Sequence, residues 1–172
     1  MTPTKGTHLY FDAIIKGAEE YKKYFTQYAN YEGELSVLEV SLNKNYKELD
    51  ALIADLYSGQ VDDYQDLARS RAGVAELADK KEKLEISNAM RIALFGSKTN
   101  IDLYIKTADA KILESLAADV EAVISGANTL LPRFAQQKNI DLIRKVISGA
   151  MAYQQVAKDY VGIEAKQKEA QG

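Results

Sequence analysis

The chain has few side chains with which to do chemistry. It contains no cysteine, and His8 is its single histidine. A thiolate nucleophile is excluded. One histidine near the N-terminus gives a Ser-His-Asp triad or a histidine metal site almost nothing to build on. No Glu-x-x-His pair of the di-iron bundles, glycine-rich phosphate loop or nucleophile elbow occurs. The sequence therefore predicts a protein that is not an enzyme and carries no cofactor. What it does hold is equipment for recognition. Arg91 carries a planar fork suited to a carboxylate, to which it can give two parallel hydrogen bonds. Tyr24, Tyr28 and Tyr31 recur at helical spacing and offer apolar walls with polar tips. Gln27 and Asn88 add amides, and Tyr153 a further phenol. These seven residues are the candidate ligand-binding set. They come from three separate stretches, so the fold has to bring them together.

The longest of those stretches runs from Tyr10 to Leu56. At alternating steps of four and three it places Tyr10, Ile14, Gly17, Tyr21, Tyr24, Tyr28, Tyr31, Leu35, Leu38, Leu42, Asn45, Leu49, Leu52 and Leu56 on one seam. That is a heptad stripe, lined with tyrosine in its first half and leucine in its second. No proline interrupts it, and unbroken it makes a helix roughly 70 Å long. Helix one is predicted from about His8 to Tyr57, after a disordered lead of residues 1–7. Ser58-Gly-Gln60 reads as a turn. A second helix follows from about Val61 to Lys106, with a weaker stripe of Leu67, Val74, Leu77, Leu84, Phe95 and Ile101. Lys80-Lys-Glu-Lys83 within it reads as a solvated charged face. Thr107-Ala-Asp109 reads as a capped reversal. Helix three carries Ile112, Leu116, Val120, Val123, Ala127, Leu130 and Phe134 and is ended by Pro132. Asn139 is a plausible N-cap for helix four, whose stripe is Ile140, Ile143, Ile147, Ala150, Tyr153, Ala157 and Tyr160.

Four helices joined by short turns pack as antiparallel neighbours. The predicted fold is all-α: one domain over residues 8–170, an elongated antiparallel four-helix bundle with two long and two shorter helices. Breaks at Gly33 and near Lys80 would convert it to a six-helix layout.

A turn at Ser58–Gln60 lays Arg91 beside Gln27, among Tyr24, Tyr28 and Tyr31, and Asn88 beside Asn30. The later reversals bring Ser125, Gly126 and Tyr153 to the same height, with the serine and glycine making room for a ligand. Each feature also has a plainer reading. Arginine at a seam edge extends its head to solvent while its stem packs. Tyrosines at heptad positions line a wet core or a dimer interface. Asn45 sets register within the leucine half. Arg69 and Arg71 pair with Asp66 or with acids of helix one.

Composition narrows the function. A net charge of −3 argues against a nucleic-acid surface. No stretch approaches the ~20 apolar residues of a membrane span. Either the protein is cytosolic, or the sequence is a soluble part of a larger membrane protein.

The segments Asn88-Ala-Met-Arg-Ile-Ala-Leu-Phe-Gly96 and Asp109-Ala-Lys-Ile-Leu-Glu-Ser-Leu116, followed by a last helix patterned like Ile143 to Tyr153, have a familiar look. Over about residues 84–170 the chain is similar to the periplasmic sensor domains of bacterial chemoreceptors (methyl-accepting chemotaxis proteins) and related histidine-kinase sensors, above all to the helical bimodular type. The resemblance implies an extracytoplasmic domain of an inner-membrane receptor, flanked by two membrane segments that lie outside this sequence. It implies a small organic acid or other small anion bound between helices, signalling by helix displacement, and a homodimer paired through the first helices. The alternative is a coiled-coil interaction or adaptor protein with no small ligand.

Overall fold

A computed structural model describes residues 5–70 and 73–170, and of residues 5–9 the backbone alone. The chain is all-α: four helices in an antiparallel bundle. Helix α1 spans Lys5–Arg69, α2 Val74–Thr107, α3 Ile112–Leu130 and α4 Gln137–Glu169, with a 3-10 turn at Leu131–Arg133 between the last two. Their lengths are 65, 34, 19 and 33 residues. Neither Gly33 nor the Lys80 segment interrupts its helix, so the four-helix layout stands over the six-helix one. The first helix begins by Lys5, inside the predicted lead; residues 1–4 of that lead lie outside the described residues.

The main correction concerns the first reversal. Ser58, Gly59 and Gln60 are helical, and the chain turns back after Ser70, where Gly73 starts α2 in an extended conformation. Composition made Ser-Gly-Gln look like a turn, but burial overrides that local preference. The stripe of Leu49, Ile53 and Leu56 continues into Gln60, which is 1% exposed. A turn there would end the helix while one more residue of its face still lay in the core.

Packing divides the chain into two units. Unit 2 is Ser41–Ala157; unit 1 joins residues 1–40 with residues 158–172. In unit 2 all four helices contribute to one core. Leu49, Ile53 and Leu56 of α1 meet Met90 and Leu94 of α2, Val123, Ala127 and Leu130 of α3, and Ile143, Val146 and Ala150 of α4. Phe134 closes the core below the 3-10 turn. Helix α3 packs closely on α2: a methyl on Gly126 would stand 2.6 Å from Met90 Cγ.

The buried face of α2 differs from the predicted stripe. Val74 and Phe95 are 86% and 68% exposed, while Lys83, Ser87, Met90, Leu94, Ser97, Ile101 and Tyr104 face inward. Lys83 therefore does not belong to a solvated charged face. Its stem is buried, and its ammonium pairs with Asp79 at 2.6 Å and lies 5.5 Å from the Phe134 ring centroid. Arg133 reaches back from the 3-10 turn to Asp79 at 2.7 Å and to Glu82 at 2.9 Å. The Lys83 and Arg133 hydrogen bonds hold the Asp79 carboxyl below its ordinary range. This network fastens the α3–α4 connection onto α2.

The reversal after α2 and the end of α3 follow the sequence, and the start of α4 does not. Ala108 adopts the left-handed conformation, with φ of 51°, after α2, and the Asp109 carboxylate accepts from the Lys111 amide at 3.0 Å. Pro132 sits in the turn that ends α3. Helix α4 starts two residues before Asn139, whose amide donates to the Gln136 carbonyl, so Asn139 is not its N-cap. Arg69 pairs with Asp66 at 3.4 Å; Arg71 lies outside the described residues.

Unit 1 is simpler. Leu35 of α1 and Tyr160 of α4 are buried. The Tyr160 hydroxyl donates to Glu39 at 3.3 Å, and Gln167 Nε2 donates to Glu32 at 2.6 Å. Every residue from Tyr10 to Gln27 is exposed.

Candidate functional site

Moving the end of α1 from about residue 57 to Arg69 changes what stands opposite Arg91. Its partner on α1 is Tyr57, not Gln27: the guanidinium carbon lies 4.7 Å from the Tyr57 ring centroid. Arg91 is exposed, as is Asn88 beside it. The arginine thus packs over an aromatic face and keeps its head in solvent, a cation–π contact of about 0.5–1 kcal/mol at an exposed position. Tyr24 and Gln27 are exposed in unit 1, and Tyr28 and Tyr31 are half-buried there. Asn88, Arg91 and Tyr153 belong to unit 2. The predicted layer of seven rested on a turn at Ser58–Gln60, which lies inside α1.

Tyr153 is fully buried, and its hydroxyl completes no hydrogen bond. Ser97 faces it and gives its own proton to the Leu94 carbonyl at 2.8 Å, but the Tyr153 hydroxyl does not reach it in hydrogen-bonding geometry. Burial drives the Tyr153 pKa well above the ordinary phenol value. Tyr153 is therefore a neutral core residue. The room expected at Gly126 is taken by Met90 and Ile86, so α3 offers no ligand space at that point.

Space is found instead between α1 and α4 of unit 2. Asn45, Glu48, Leu49 and Leu52 of α1 face Lys145, Ser148, Gly149 and Ala152 of α4 around an open groove of about 310 Å³. That volume lies at the lower end of the roughly 300–1,000 Å³ typical of small-molecule sites. The floor is aliphatic, and Leu49 within it is 1% exposed. The polar groups are of the types that hold a carboxylate: the Lys145 ammonium, the Asn45 amide and the Ser148 hydroxyl. Lys145 forms no ion pair among the described residues. Ser148 donates to the Lys145 carbonyl at 3.1 Å, which leaves its oxygen able to accept. Glu48 stands at the rim, 3.9 Å from Lys44 on its own helix. Gly149 lies over Leu49, whose Cδ1 would be in ordinary van der Waals contact, at 3.4 Å, with a methyl placed there.

Sequence reasoning passed over Lys145, Ser148 and Gly149. The signal was present, because Ser148-Gly149 repeats the Ser125-Gly126 pair that drew attention on α3. Asn45, read as a register-setting seam residue, is half-buried and lines this groove. Among the described residues no group of three or more acidic or histidine side chains is placed to hold a metal ion, and no helix is long and apolar enough to cross a membrane. Comparison with known protein families, curated proteins and solved structures finds no match in any of the three.

Proposed function

We propose that the chain is the ligand-binding sensor domain of a bacterial transmembrane chemoreceptor, and that it binds a small organic acid in the α1–α4 groove of unit 2. The observation that carries this reading is the groove's lining: one uncommitted ammonium, an amide and a hydroxyl around a leucine floor. A carboxylate on Lys145 with its hydrocarbon on Leu49 and Leu52 satisfies both parts. Glu48 at the rim disfavours a second negative charge, so monocarboxylates are preferred over dicarboxylates. The contacts come from two different helices, and a ligand that draws them together supplies the displacement that a receptor transmits. In this reading the domain stands outside the inner membrane, between membrane segments of the whole receptor.

An exposed ion pair contributes only ~0.2–1 kcal/mol, so affinity in the millimolar range is expected. At ten times Kd, ligand binding adds about 1.4 kcal/mol of stability. For a chain of this size each kcal/mol raises Tm by roughly 2–4 °C. A thermal-shift screen of acetate, propionate, pyruvate, succinate and malate should therefore show a rise of about 3–6 °C with at least one monocarboxylate. No rise with any of these acids would remove the proposal's support.

A second reading has an observation of its own. Large apolar side chains from Tyr10 to Phe25 are 52–77% exposed along one helix, and Tyr21 stacks on Phe25. Contiguous apolar surface of this kind is characteristic of protein interfaces. It favours a coiled-coil interaction or adaptor protein, and in either reading it supports pairing of two copies as a homodimer. Sedimentation of the chain as a monomer at high concentration would remove the homodimer from both.

A further inference from the structure

Unit 1 has a groove of its own, about 660 Å³, between its α1 and α4 segments. Its chemistry is opposite in sign to that of the unit 2 groove. Val37, Leu38 and Ile163 supply aliphatic surface, and Val37 is 65% exposed. The charged groups are Glu34 and Asp159, the remaining polar side chain is Asn30, and no lysine or arginine lines the space. The surrounding segments are acidic as well, with six carboxylates against three lysines over residues 30–40 and 158–170. Burial raises the Tyr160 pKa most, and Glu39, Glu164 and Glu32 add to it, up to about 12.

Gly33 gives an independent indication. Glycine inside a helix is destabilising relative to alanine, and Gly33 lies in the middle of a 65-residue helix. Nothing in the chain requires it, because a methyl there would meet no atom within 4 Å. Gly17 and Gly59 of the same helix and Gly162 of α4 share that freedom, but none of the three lines this groove or that of unit 2. At Gly33 the missing side chain bares helix backbone to whatever occupies the space.

We propose that this groove binds an organic cation with an apolar body, an alkyl- or arylamine. Glu34 is its principal ion partner, and Asp159 contributes field while keeping its contact within the chain. The Asn30 amide oxygen accepts a further ammonium hydrogen. The hydrocarbon lies across Gly33 against Val37, Leu38 and Ile163. This site is independent of the organic-acid reading, since it uses different residues and the opposite charge.

The test is an amide NMR titration of the whole chain with phenethylamine, with 1,5-diaminopentane as a second amine and 2-phenylethanol as the neutral match. Saturable shifts are expected at Gly33, Glu34, Val37 and Ile163 with at least one amine. Glu34→Gln should weaken binding about 3–5-fold, the effect of one exposed ion pair. Gly33→Leu should abolish it while Tm holds or rises, which separates a filled groove from a misfolded chain. Lys145→Ala should leave amine binding unchanged. The proposal is overturned if neither amine gives saturable shifts at these residues up to about 20 mM, well above a millimolar Kd. It is equally overturned if phenylethanol binds as tightly as phenethylamine, or if Glu34→Gln has no effect.

Discussion

Replacing Gly59 with alanine tests the placement of the first reversal, which sets what stands opposite Arg91. The structure puts Gly59 inside α1, exposed, with negative φ and no atom within 4 Å of a built methyl. Nothing then opposes the ordinary difference in helix propensity, which favours alanine by about 1 kcal/mol. The variant should be more stable by that amount, seen as a Tm higher by roughly 2–4 °C in the helical circular-dichroism signal. If Ser58–Gln60 were instead a turn with its glycine in the left-handed region, alanine would cost on the order of 1 kcal/mol or more. The sign of the change decides between the two folds, so no assumption about the cooperativity of unfolding is needed. A fall in Tm on Gly59→Ala would refute the continuous helix, and with it the pairing of Arg91 with Tyr57.

Tyr153→Phe removes a buried hydroxyl that has no partner, so the chain should gain about 1–2 kcal/mol in denaturant unfolding; a loss would reveal a hydrogen bond that stabilises the core. Alkali should destabilise unit 1 through Tyr160. Its pKa is raised from 10.0 to about 12 on folding, so the folded state holds the proton more tightly. Its contribution is complete below about 10 and is lost as pH rises through about 12. Tyr160→Phe should flatten that decline, and an unchanged pH profile would count against the assignment.

The fold was legible because the apolar periodicity of α3, α4 and the leucine half of α1 is strong. Leu116 to Phe134 and Ile143 to Tyr160 lie on the faces that the spacing predicts. The inward face of α2 was hidden because it is built from Lys83, Ser87 and Ser97 as well as Met90 and Leu94. No hydropathy pattern places a lysine in a core, and only the Asp79 carboxylate and the Phe134 ring make Lys83 tolerable there. Gln60 misled in the same way, as a polar residue that packs inward beyond a glycine. One misplaced turn then shifted the whole α1–α2 register and set Arg91 against the wrong residues. The spacing puts the tyrosine half of α1 on one stripe, but periodicity alone does not say whether a stripe is covered. From Tyr10 to Gln27 it is not. The candidate groove of unit 2 was only partly legible, since Asn45 stood out on its seam while Lys145 is one exposed lysine among many.

The central claim is that Lys145 and the Asn45–Ser148 groove hold an organic acid. An amide NMR titration with propionate, run on the wild-type chain, Lys145→Ala and Arg91→Ala, addresses it most directly. The account predicts saturable shifts at Asn45, Leu49, Ser148 and Gly149, with a Kd weakened about 3–5-fold in Lys145→Ala, the effect of one exposed ion pair, and unchanged in Arg91→Ala. Shifts centred on Asn88 and Arg91, or binding that survives Lys145→Ala undiminished, would contradict it.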